Sequence, residues 1–125
     1  MTKLCIQAST APSNPLPDMP IEPSWITEGK PIARGAMLNQ SDDKKVSNGF
    51  WSCTEGKFDW TFAWDEFVTI LEGQVIITEA GDGGRTYTLN VGDAAHFPLG
   101  LKSHWHVTEP VKKYFVVRTP EPLEL

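Results

Sequence analysis

The chain has 125 residues, 40% of them apolar, and a formal net charge of −5 from 11 Lys and Arg against 16 Asp and Glu. That length builds a single core, and the acidic balance leaves no excess cationic surface for nucleic acid or an anionic membrane. Ten Gly and ten Pro are too many for a helical bundle and suit a β protein rich in turns.

The opening residues, Met1 to Ser9, carry one Lys and a short apolar stretch broken at Gln7. A secretory h-region is missing from them, and no window approaches the ~18 apolar residues of a membrane span. The expected location is cytoplasmic. Cys5 and Cys53 form no C-x-x-C pair, which speaks against a zinc knuckle or a disulfide scaffold and for two reduced thiols, one of them packed in the core. Thr10 to Pro23 holds five prolines in fourteen positions. That density excludes a regular helix or a central strand, so residues 1–23 are expected to form an extended arm and residues 24–125 a single domain. Leu16, Met19 and Ile21 give the arm apolar side chains with which to dock, on its own barrel or on a partner subunit.

Beyond Ser24 the sequence breaks into short β-like runs. They are Trp25-Ile26, Ile32 to Leu38, Gly49 to Cys53, Phe58 to Phe62, Phe67 to Leu71, Gln74 to Glu79, Arg85 to Asn90, Ala94 to Phe97, Trp105 to Thr108 and Lys113 to Arg118. Ala80-Gly-Asp-Gly-Gly-Arg85 reads as a hairpin, because Gly and Asp supply the positive φ angles of tight connections. Asp65 to Glu72 has the composition of a strand rather than a helix. About ten antiparallel strands at near-regular spacing indicate an all-β sandwich or barrel.

Two blocks carry the most information. The first runs from Gly56 through Trp60, Phe62, Trp64 and Glu66 to Gly73, and the second from Gly92 through Pro98-Leu-Gly100 to Ser103-His104-Trp105-His106-Val107. Glu66-(x)6-Gly73 resembles the end of the first cupin motif, and Gly92-(x)5-Pro98-x-Gly100 the start of the second. With Trp25, Glu28-Gly29-Lys-Pro31, Gly49-Phe-Trp51, Gly56-Lys-Phe, Trp64-Asp-Glu66 and Trp105, residues 25 to 118 are similar to small single-domain cupins related to ureidoglycine aminohydrolase and the ethanolamine-utilisation cupin. The resemblance implies a jelly-roll barrel, the cupin double-stranded β-helix. It does not fix an activity, because one barrel hosts many chemistries.

In metal-binding cupins the first motif supplies an H-x-H pair and a Glu, and the second a further His. Here the H-x-H positions hold Trp60 and Phe62, the last His position holds Ser103, and the opening Gly position holds Thr54. Glu66 alone remains, and one carboxylate does not hold a transition metal. The expectation is a chain without a cofactor. The alternative reading is a divalent metal on Glu66, His104 and His106. The resemblance implies that Ser103 points inward, and since alternate residues of a strand share a face, Trp105 then points inward and both histidines outward. His96, two residues before Pro98, reads as structural.

Trp60, Phe62, Trp64, Ser103 and Trp105 are therefore expected around Glu66, with Tyr114 adding a hydroxyl. A carboxylate buried among rings needs a partner, for which Arg34 and Lys57 are the candidates. Aromatic walls around a polar centre suit a sugar, a ureide or a cationic amine. The reading is a small-molecule-binding protein, against the alternatives of a filled core and of a hydrolase or isomerase, metal-dependent or not, acting on a ureide-like or sugar-like metabolite. In the enzymatic case Glu66 is the general acid or base. Ser103 and His104 point to opposite faces and form no dyad. Edge strands that need covering point to a homodimer.

Overall fold

The computed structural model describes residues 4–9 and 16–125. A short 3-10 turn, Pro23–Trp25, leads into β1 (Ile26–Glu28), β2 (Ala33–Gln40), β3 (Val46–Cys53), β4 (Gly56–Thr61), β5 (Asp65–Glu79), β6 (Thr86–Asn90), β7 (Ala94–Phe97) and β8 (Lys102–Arg118). Every pairing is antiparallel. One part of the sheet runs β1-β4-β8-β3-β2, while β5 pairs with β6, β7 and β8. The sheet curls into a jelly-roll barrel whose interior is filled by alternate residues of each strand. In β8 the inward set is Ser103, Trp105, Val107, Val111, Lys113, Phe115 and Val117, all buried. No helix among the described residues is long and apolar enough to cross a membrane.

Two pairs of runs that read as separate strands are continuous. Phe67 to Leu71 and Gln74 to Glu79 join as β5, and Trp105 to Thr108 and Lys113 to Arg118 join as β8. Gly73 and Pro110, which lie in the gaps between those runs, mark a shared bend. Gly73 has φ 77°, and a Cβ there would fall 2.0 Å from the Pro110 carbonyl oxygen. The ladder between β5 and β8 slips at this point, between Ile70 and Val75. Such irregularities bend a strand without ending it. Across the bend the partners change, β5 passing from β7 to β6 and β8 from β4 to β3.

The connection between β5 and β6 is the hairpin expected over Ala80 to Arg85. Gly81 and Gly83 take φ 99° and 75°, the Gly84 N–H donates to Gly81 O, and the Glu79 N–H donates to Arg85 O.

Residues 16–19 lie along the free edge of β2. The Gly35 N–H donates to Pro17 O, the Met19 N–H donates to Ala33 O, and Asp18 bridges Arg34. Leu16 and Ile21 are buried. Met19 reaches over Gly35, where a Cβ would fall 3.0 Å from its Sδ. A side chain at Gly35 would press on Met19 and require it to shift. Residues 10–15 of the proline-rich segment lie outside the described residues.

Candidate functional site

Glu66 is the second residue of β5 and, by the alternation of the strand, points inward with Val68 and Ile70. Lys113 occupies an inward position of β8 between Val111 and Phe115. In the ladder Glu66 sits opposite Val117 and Lys113 opposite Ile70, so the two are offset diagonally by four residues. The long Lys113 side chain spans that offset inside the barrel, and its Nζ donates to Glu66 Oε2 at 2.6 Å. The side chains are only 8% and 5% exposed. The other carboxylate oxygen, Oε1, accepts the indole N–H of Trp64 at 2.9 Å.

Aromatic faces complete the surroundings of the ammonium. Trp51, the direct cross-strand partner of Lys113, presents its ring 4.5 Å from Nζ, and Trp105 presents its ring at 5.1 Å. Rings at these distances attract a cation through their quadrupoles, most strongly where water is excluded. Carboxylate, ammonium and indole faces together form a buried charged centre in which no side-chain polar atom lacks a partner. Satisfying the partners in this way is what permits burial of both charges.

The centre opens onto a cavity of about 230 Å³. Trp51, Trp60, Trp64 and Trp105 supply four indoles to its wall, Met37 and Phe115 contribute from β2 and β8, and Met19 contributes from the arm. Apart from Glu66 and Lys113 the lining is apolar.

The residues expected around Glu66 divide into three groups. Trp60, Trp64 and Trp105 line the cavity with it. Phe62 and Ser103 are buried beneath the wall. Phe62 stacks on Phe97 with ring centroids 4.8 Å apart, while the Ser103 hydroxyl donates to Trp60 O and accepts from the Trp105 indole N–H, both at 2.9 Å. Ser103, at the position of a metal-binding histidine, thus fixes an indole. Tyr114 does not join them. It is the neighbour of inward Lys113, so the alternation turns it outward, where its hydroxyl accepts from Asn48 Nδ2 at 2.9 Å and its ring meets Phe50.

The partner of Glu66 is neither Arg34 nor Lys57. Arg34 lies on the outer face of β2 bound to Asp18 at 2.8 Å, and Lys57 pairs with Glu28 at 3.0 Å. Sequence reasoning misses Lys113, because a lysine in an apolar run looks like a solvent-facing residue. The alternation Val111-x-Lys113-x-Phe115-x-Val117 was the signal that places it inward.

His104 and His106 point away from Glu66, on the outer face of β8. His104 Nδ1 lies 2.6 Å from Asp59 Oδ1, and Lys57 sits opposite His106 in the ladder. The three side chains of the alternative metal reading are not brought together. Among the described residues no three His, Cys, Asp or Glu side chains converge as a metal site. Indole, phenyl and hydroxyl at positions 60, 62 and 103 do not provide the nitrogen donors that a cupin metal requires, so the site does not fit one. His96 lies 3.2 Å from Asp65 and stacks on Phe67.

Asp65, beside Glu66 but outward, accepts the Leu99 N–H and binds Arg118 and His96. The Leu99 amide first, then Arg118 and His96, hold its carboxyl below the usual range. Burial pushes the Cys53 thiol up to about 12.

Three comparisons place this geometry among known proteins. No functionally curated protein matches the sequence. In structure, the chain is similar to the EutQ protein of Clostridium difficile, at 20% identity and a TM-score of 0.63, over 81% of each chain. It is also similar to a DUF861-family protein of unknown function from Pseudomonas syringae pv. tomato, at 22% identity and a TM-score of 0.68, over 91% of this chain and 45% of that one. A third likeness, to a conserved protein of unknown function from Streptococcus pyogenes, has 22% identity and a TM-score of 0.55, over 91% and 98%. At these identities the likeness concerns the fold. Residues 40–115, more than half of the chain, match the model of the EutQ-like cupin domain, and the chain belongs to that family.

Proposed function

We propose that this cupin is a metal-free binding protein for a small organic metabolite, held in the aromatic cavity at the Glu66–Lys113 pair. The observation that carries the reading is a buried ion pair at the end of an otherwise apolar cavity. A barrel selected only for stability gains nothing from such a pair, because well-packed apolar residues of similar volume stabilise as well or better. Pockets of this kind, apolar walls with a few convergent polar groups, are where small ligands bind.

The pair also narrows the ligand. The cation position among the indoles is already taken by Lys113, which disfavours a cationic amine. Nζ keeps N–H donors beyond the one given to Glu66, so the fitting ligand brings an acceptor oxygen, carbonyl or hydroxyl, on a body that stacks against the rings. Sugar-like and ureide-like compounds meet that description.

Tryptophan fluorescence over a panel of sugars, ureides, carboxylates and amines tests the proposal. An oxygen-bearing class should shift the wild-type emission, and Glu66→Gln should weaken that response. A folded wild type that answers to no class, or that answers best to amines, contradicts it.

A further inference from the structure

We infer that Lys113 is a carbonyl-capturing lysine, which forms an imine with a small aldehyde or ketone bound in the cavity while Glu66 serves as its proton relay. The inference rests on the binding reading above and assigns the pocket a covalent chemistry. Three observations carry it. Lys113 lines a cavity whose remaining wall is mostly apolar. A carboxylate oxygen lies 2.6 Å from its Nζ, within the reach required of a general base. The other oxygen of the carboxylate is held by Trp64, which orients Glu66 toward the nitrogen.

The reaction balances within the site. The ammonium passes one proton to Glu66, and the freed lone pair attacks the carbonyl carbon, forming a C–N bond as the carbonyl π pair moves to oxygen. A proton moves from nitrogen to that oxygen, giving a neutral carbinolamine. Glu66 then returns its proton to the hydroxyl, the C–O bond breaks, water leaves, and the nitrogen lone pair closes the C=N bond. Ammonium and carbonyl have become iminium and water, with Glu66 again a carboxylate. No oxidant, reductant or metal enters.

The surroundings favour the product for the same reason that they hold the reactant. The positive charge begins and ends on Nζ, next to Glu66 Oε2 and the faces of Trp51 and Trp105. Nζ is neutral only from the attack to the carbinolamine, and the environment that receives the returning charge is already in place, which lowers the cost of closing the C=N bond. The apolar wall also limits the water that would reverse it.

The test is reductive trapping on the full chain. The protein is incubated with benzaldehyde and sodium cyanoborohydride, and benzylated amines are mapped by peptide mass spectrometry. Benzyl alcohol, which has the ring and lacks the carbonyl, is titrated in parallel by tryptophan fluorescence. The adduct is expected at Lys113 in roughly tenfold or greater excess over any other lysine, with trapping in Glu66→Gln slowed by roughly tenfold or more. Circular dichroism shows whether that variant is folded, and the wild-type map decides the matter if it is not. An adduct spread evenly over the lysines, or absent from Lys113, overturns the inference. If Lys113 stays unmodified while benzyl alcohol quenches the indoles, imine formation falls and the binding reading stands. If neither occurs, both lose their support.

Discussion

Lys113 reaches Glu66 across a diagonal of four residues in the ladder between β5 and β8, and the two meet at 2.6 Å inside the barrel. Their interaction makes a specific prediction about stability. Removing either charge leaves the other buried and unpaired, which costs about 3–5 kcal/mol. Glu66→Gln and Lys113→Met should each lower the urea midpoint strongly, and the double variant should lose much less than the sum of the two. Additive losses in the double-mutant cycle would show that the pair is not coupled.

The bend at Gly73 and Pro110 gives a second prediction. A Cβ on Gly73 would collide with Pro110 O at 2.0 Å, whereas one on Gly81 would meet nothing within 4 Å, although both glycines have positive φ. Gly81→Ala should cost about 1 kcal/mol of backbone strain. Gly73→Ala adds a clash with backbone to similar strain and should cost at least about 2 kcal/mol more. Equal losses in chemical denaturation would contradict a bend held by close approach.

These examples show what the sequence could and could not disclose. The resemblance implies Trp60, Phe62 and Ser103 inward, and from Ser103 strand alternation turns Trp105 inward and His104 and His106 outward, because period two is a local property of the backbone. Gly73 and Pro110 each, taken alone, interrupt a strand. Only their juxtaposition across two strands makes them a bend. Lys113 and Glu66 are neither close in sequence nor direct cross-strand neighbours, so no spacing rule joins them. Tyr114 is expected to add a hydroxyl near Glu66 but lies outward, a face that only the alternation through inward Lys113 discloses.

The thiols should differ sharply in reactivity. Cys5 is exposed and Cys53 buried, with burial raising the Cys53 thiol to about 12. Because the raised value favours the neutral thiol in the fold, its contribution to stability is full below the unfolded value of about 8.5 and is lost as pH rises toward the folded one. With a disulfide-exchange reagent near neutral pH, the native chain should release one equivalent and the unfolded chain two. Rapid release of two by the native chain would contradict the burial.

Asp65 sets an acid limit. Its carboxyl is held low by the Leu99 amide, Arg118 and His96, so the contribution is complete above the unfolded carboxylate value of about 3.9 and is lost as pH falls through the folded one. Between about pH 5 and pH 2, Asp65→Asn should lose less stability than the wild type, with the two curves converging at the acid end. Parallel curves over that window would contradict the assignment.

The central claim is that the indoles around Glu66 and Lys113 bind a small oxygen-bearing ligand. The most direct measurement is the set of indole N–H signals in nitrogen-labelled protein, recorded during titration with a sugar, a ureide or an aldehyde. Trp64 and Trp105, whose N–H groups donate to Glu66 and Ser103, should shift saturably together with Trp51 and Trp60. Trp25, packed edge-on against Trp60, should move least. Signals of Trp51, Trp60, Trp64 and Trp105 that stay fixed for every class, or shifts confined to Trp25, would contradict a ligand in the barrel.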